Sequence, residues 1–108
     1  MFKQVIHYQT SEGKIPFEEW FLSLKDATVK ARILARIDRL LRGNFGDSKN
    51  VGNGVFELRF HFASGYRVYF GIDQQTMVIL LLGGDKSTQK SDVQRSYAYW
   101  IDYLRRSK

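Results

Sequence analysis

The spacing of hydrophobic positions changes several times along the chain, and each change marks an element. Residues 2–9 alternate and predict a strand. Pro16 suits the first turn of a helix, and Glu18 and Glu19 follow where the helix dipole favours negative charge, so a helix is expected to about Leu24. From Asp26, an N-cap residue type, the apolar residues Val29, Ile33, Ile37, Leu40 and Leu41 recur at helical spacing until Gly43 ends the run. The two segments predict a helical hairpin. Residues 43–54, GNFGDSKNVGNG, are rich in Gly and Asn and read as a loop. Three strands are expected next, at about 55–61, 65–72 and 76–82. The third, MVILLL, lacks polar alternation and predicts burial on both faces. After Gly83 and Gly84 comes a polar turn, then a last helix with Ser91 as N-cap and Val93, Tyr97, Trp100, Ile101 and Leu104 as its apolar stripe. The order β-α-α-β-β-β-α predicts an α+β domain: a mostly antiparallel four-stranded sheet with helices covering one face.

Composition limits what such a domain can be. With 108 residues, 44% of them hydrophobic, a single domain over 1–108 with a modest core is expected. There is no cysteine, which excludes disulfides and thiolate metal sites. The N-terminal stretch lacks the apolar core of a signal peptide, and the run Met77–Leu82 is too short to span a bilayer. The expectation is a soluble cytoplasmic protein without a membrane partner. The net charge of +6 is unevenly spread. Residues 26–42 carry Lys30, Arg32, Arg36, Arg39 and Arg42 against Asp26 and Asp38, and the chain is basic again from Lys86 onward. Such blocks suit an anionic partner (nucleic acid, an acidic protein or anionic lipid), although a solvated basic surface has the same composition.

The segment ELRFHFASGYRVYF, residues 57–70, carries the candidate chemistry. A turn at 62–64 sets Arg59 opposite Arg67 and Glu57 opposite Tyr69, and like charges facing each other destabilise a sheet. Period 2 then gathers Glu57, Arg59, His61, Arg67 and Tyr69 on one polar face and leaves the other face apolar. Two guanidiniums side by side make a receptor for phosphate, which would offset their repulsion. A diagonal Glu57–Arg67 salt bridge is the plainer use of the same residues. The turn GGDKSTQKSD aims Lys86 back across this face but lacks the glycine spacing of a P-loop. Neither His7 nor His61 has metal-binding spacing, and no Gly-x-Ser-x-Gly elbow exists, so metal and triad hydrolysis fit poorly.

GVFELRFHFASGYRVYF followed by VILLLGGDKSTQKSDVQRSYAYW resembles the RelE/ParE toxin superfamily, in its addiction-module killer branch close to HigB-like toxins of type II toxin–antitoxin systems. The resemblance spans nearly the whole chain. It implies a compact RelE-like fold and a cognate antitoxin, commonly a small helix-turn-helix protein, that forms a hetero-oligomer with the toxin. It further implies a ribosome-dependent endoribonuclease that cuts mRNA without a cofactor. Arg59, Arg67 and Lys86 would be the cations of the active cleft, and Glu57, His61 and Tyr69 the contenders for proton transfer, with Glu57 or His61 favoured as base. RelE's lysine pair and late tyrosine have no clear counterpart. Arg32, Arg36 and Arg39 fall at i, i+4 and i+7 on one helical stripe and, with Lys49 and Lys90, would contact RNA or the ribosome. Two other readings remain: a ParE-like inhibitor of DNA gyrase, and a non-toxic module that binds antitoxin or nucleic acid.

Overall fold

A computed structural model describes residues 1–107. Pro16 occupies the start of helix α1 (Pro16–Ser23), and Asp26 caps α2 (Ala27–Leu41) by accepting hydrogen bonds from the backbone N–H groups of Thr28 and Val29. α2 buries Val29, Ile33, Ile37 and Leu40, the stripe expected from their spacing, and Gly43 follows with a positive φ. The strands are β1 (Gln4–His7), β2 (Ser48–Gly52), β3 (Val55–Arg59), β4 (Arg67–Asp73) and β5 (Met77–Gly84). A 3-10 turn at Lys86–Thr88 leads into α3 (Gln89–Arg106). The sheet runs β1-β5-β4-β3-β2, with β1 parallel to β5 and every other pair antiparallel.

The fold is α+β, with three departures from expectation. The sheet has five strands rather than four, because part of the presumed loop is β2, paired with β3. The two are joined by Asn53-Gly54, both at positive φ (54° and 84°), the geometry of a tight two-residue hairpin. Gly- and Asn-rich composition masked a short edge strand that pairs with β3 and packs Val51 against the core under α3. α3 starts two residues before the expected cap: Asp85 caps the 3-10 turn, and Ser91 lies inside the helix. The third departure concerns layers. Helices cover both faces of the sheet, because α3 crosses the face that the hairpin's alternation had marked as polar.

Each face has its own core. α1 and α2 pack on Leu58, Phe60, Val68, Phe70, Val78 and Leu80. Under α3, Trp100 packs with Tyr8, Val55, Tyr69, Ile79 and Leu81. β5 serves both cores, as its unbroken apolar run requires. A register shift opposite Tyr69/Phe70 turns Leu82 to the α3 side with Leu81, so that Gly83 meets Trp20 of α1 and Gly84 meets Asp92 of α3. β5 thus ends with one small residue presented to each helical layer.

Candidate functional site

The hairpin register is the one expected: Arg59 pairs with Arg67 and Glu57 with Tyr69. The two pairs have opposite fates. α3 seals the Glu57–Tyr69 rung, leaving Tyr69 fully buried and Glu57 1% exposed. Gln89, in the first turn of α3, donates to Glu57 Oε2 at 2.8 Å, and Arg67 Nε lies 3.7 Å from the same oxygen. The diagonal salt bridge is therefore present. The Tyr69 hydroxyl has no hydrogen-bond partner among the described residues. Burial first, and the neighbouring charge of Glu57 second, raise its pKa well above the ordinary phenol value. Two of the expected active groups thus lie inside the protein: α3 has made the Glu57 and Tyr69 side of the polar face a buried network.

The Arg59–Arg67 rung lies nearer the turn of the hairpin, with Arg59 about one-third exposed and Arg67 13%. Arg59 Nη2 donates to Asp47 Oδ1 at 2.9 Å, and the other oxygen of Asp47 is hydrogen-bonded to His61 Nε2. These bonds, His61's first and Arg59's second, hold the Asp47 carboxyl below its usual pKa. Each facing arginine therefore has a carboxylate of its own, Asp47 or Glu57, and their mutual repulsion is relieved within the fold. Neither guanidinium is saturated, since both Nε atoms are buried without a hydrogen-bond partner among the described residues.

Beside this rung opens a cleft of about 420 Å³, lined by Phe60, His61, Ser64, Gly65, Arg67 and Lys86 among others. The 62–65 turn forms its wall. Gly65, at φ +71, is wedged between the Arg67 guanidinium and Cβ of Lys86, so that a side chain here would strain the backbone and crowd both cations. Arg67 Nη1 donates to the Gly65 carbonyl, and the Lys86 N–H donates to the Ser64 carbonyl at 3.2 Å. The cleft brings His61, Arg67 and Lys86 together. Arg59 stands behind His61, joined to it through Asp47.

Of the presumed RNA contacts, Arg32, Arg39, Lys49 and Lys90 are exposed. Arg32 lies over the Phe62 ring, 4.9 Å from its centroid. Arg36 is different: half-buried, it donates to the backbone carbonyls of Arg59 (3.0 Å) and Asp47 (3.3 Å) and covers Phe60. That placement removes it from the exposed stripe and makes it the tie between α2 and the site. Asp47 and Gln89 were missed in the sequence. The Asn-Gly turn held part of the signal for Asp47, because folding back from residues 53–54 brings the chain before Ser48 alongside the end of β3; the one-residue register shift between Asn50 and Gly52 then pairs Ser48 with Leu58 and sets Asp47 beside Arg59. Gln89 had no signal, since its role depends on where α3 docks.

Among the described residues no group of three or more His, Cys, Asp or Glu side chains is placed to hold a metal ion, and no helix is long and apolar enough to cross a membrane. A small α+β protein with a cationic cleft at the end of its sheet is the class these observations define. The chain belongs to the phage-derived Gp49-like family, whose model matches residues 19–96, a span containing the hairpin, the cleft and the start of α3. That family is associated with the toxins of toxin–antitoxin systems. An uncharacterized protein of Haemophilus influenzae is 50% identical over 82 residues, which cover 76% of this chain and 83% of that protein.

Proposed function

We propose that the protein is the toxin of a type II toxin–antitoxin module and acts as a ribosome-dependent mRNA endoribonuclease of the RelE/HigB kind, neutralised in the cytoplasm by a small helix-turn-helix antitoxin. The observation that carries this reading is the convergence of Arg67, Lys86 and His61 on one cleft, with His61 held by an Asp47 that also grips Arg59. Arg67 and Lys86 are suited to bind the scissile phosphate and to stabilise the charge that builds on it during transfer. Arg59 acts behind them, fixing Asp47.

In the neutral ring, the Asp47 carboxylate against Nε2 fixes the proton on that nitrogen and leaves the Nδ1 lone pair to act as the base. His61 takes the proton of a ribose 2′-hydroxyl, and the oxygen attacks the adjacent phosphorus in line. The P–O5′ bond breaks, the leaving oxygen takes a proton from water, and a 2′,3′-cyclic phosphate remains. DNA lacks this nucleophile. Glu57 and Tyr69 serve the site from inside: Glu57 orients Arg67, and Tyr69 fills the core beneath it. Arg32, Arg39, Lys49 and Lys90 supply the diffuse positive surface for ribosomal RNA.

The test is induction of the protein, and of its Arg67→Ala and Lys86→Ala variants, in a bacterium, followed by mapping of new mRNA 5′ ends and of plasmid supercoiling. Cleavage inside translated codons is expected, and is lost in both variants while antitoxin binding persists. Lys86 is exposed, so its variant separates loss of chemistry from loss of fold. Growth arrest with intact mRNA and altered supercoiling would replace this reading with gyrase inhibition.

A further inference from the structure

A second cavity, of about 510 Å³, lies on the other side of the Ser64–Lys86 backbone hydrogen bond. Ser64 lines both cavities, and the adjacent residues Asp85 and Lys86 line one each. The character of the second differs sharply from that of the cationic cleft. Its apolar part includes Trp20, Tyr66, Pro16, Leu24, Leu82 and the bare backbone of Gly83. Trp20 and Tyr66 are half-buried and meet edge to face with ring centroids 6.1 Å apart. The lack of a side chain at Gly83 is what lets the Trp20 ring settle at the end of β5. Its polar part sets three carboxylates, Glu19, Asp85 and Asp92, against the single guanidinium of Arg95, a balance that disfavours a second phosphate.

Those carboxylates are not equivalent. Asp85 is occupied by the N–H and hydroxyl of Ser87, and Asp92 by the Thr88 hydroxyl (2.5 Å) and Arg95 (3.7 Å). Glu19 is exposed and makes no side-chain hydrogen bond or ion pair among the described residues. An aromatic platform with one free carboxylate, one backbone step from a phosphate receptor, matches the layout of a nucleotide: a flat base that stacks, and a charge at one end. The base can be narrowed by its edge. A carboxylate offers two acceptors side by side, and guanine alone among the four presents two adjacent donors, N1–H and N2–H. Adenine and cytosine set an acceptor beside their amino group, and uracil flanks its single N–H with carbonyls.

We propose that this groove is a guanine-selective base subsite, in which Trp20 and Tyr66 hold the ring and Glu19 reads its N1–H and N2–H edge. The proposal deepens the ribonuclease reading and rests on it for the position of the phosphate. A guanosine whose 3′-phosphate lies on Arg67 and Lys86 would place its base across Ser64 in the groove.

Trp20 supplies the measurement, since the other tryptophan, Trp100, is buried against Tyr103. Intrinsic fluorescence of the purified protein is titrated with guanosine 3′-monophosphate, cytidine 3′-monophosphate, guanosine and inorganic phosphate. Expected are quenching by both guanine compounds, absence of that quenching in Trp20→Phe, and a preference of about tenfold for the guanine over the cytosine nucleotide that disappears in Glu19→Gln. Arg67→Ala should weaken the nucleotide and leave guanosine unchanged. Equal binding of the two nucleotides with no Trp20 quenching, while inorganic phosphate still competes, would overturn the base subsite and leave the phosphate cleft standing. Guanosine binding with no effect of Arg67→Ala on the nucleotide would spare the subsite and remove the phosphate assignment. No binding of any probe would overturn the proposal. A guanine preference that survives in Glu19→Gln would overturn the role given to Glu19.

Discussion

Two adjacent rungs of one hairpin, Glu57–Tyr69 and Arg59–Arg67, share a sheet face and an alternation pattern yet do different work. The first is covered by α3, so its polar atoms are engaged in, or strained by, a dry interior. There Gln89 and Arg67 converge on one carboxylate, and a phenol is held neutral. The second reaches the rim: Arg59 is about one-third exposed, Arg67 13%, and the neighbouring His61 about three-quarters. Identical residue types would have opposite effects if exchanged between the rungs. Chemistry along this strand pair is set by the footprint of a helix far away in sequence.

The largest effect that would test the contrast is loss of the buried ring. Tyr69→Ala is expected to cost about 3–5 kcal/mol of stability by urea denaturation, and a loss under 1 kcal/mol would mean that α3 does not seal the rung. Next come the rim cations. Lys86→Ala should lower the rate of mRNA cleavage on isolated ribosomes about a hundredfold, by analogy with removal of one transition-state donor, with an unchanged denaturation midpoint. Unaltered cleavage would take Lys86 out of the site.

Asp47→Asn comes third, with cleavage slowed about tenfold as the orientation of the base is loosened. Ribosome binding should stay as it was, and Asp47→Glu should restore part of the rate. An equal drop in binding would make Asp47 structural only. The same carboxylate predicts a pH effect. Its pKa is depressed in the folded state, so its contribution to stability is complete above the unfolded value of about 4 and is lost as pH falls through the lower folded value. Wild type should therefore lose more stability than Asp47→Asn on strong acidification, and parallel acid titrations of the two would contradict this.

The smallest effect is the most discriminating between the rungs. Tyr69→Phe removes a buried hydroxyl that has no hydrogen-bond partner among the described residues, so cleavage should be retained, with stability within about 1 kcal/mol of wild type or above it. A collapse of cleavage in this variant alone would return Tyr69 to the proton-transfer step.

Local pattern was enough for much of the molecule. The apolar spacing of α2, its Asp26 cap, the unbroken run of β5 and the register that sets Arg59 against Arg67 each follow from forces within one turn or one strand pair, and all are present in the structure. The departures arise where a partner distant in sequence decides. β2 forms because β3 offers it an edge, and only the Asn-Gly turn hinted at that pairing. Arg36, which belongs to an exposed stripe by spacing, folds inward where α2 passes the carbonyls of Asp47 and Arg59 and donates to both.

The polar face illustrates the division most clearly. Alternation along β3 and β4 determines that Glu57, Arg59, His61, Arg67 and Tyr69 leave the sheet on the same side, because successive side chains of a strand must point to opposite faces. Whether that side meets water is not a property of the strands. The docking of α3, driven by Trp100 settling over Gly71, buries Glu57 and Tyr69 and stops short of His61 and Lys86. Desolvation follows the helix that covers a residue, and only the assembled fold specifies where that helix ends.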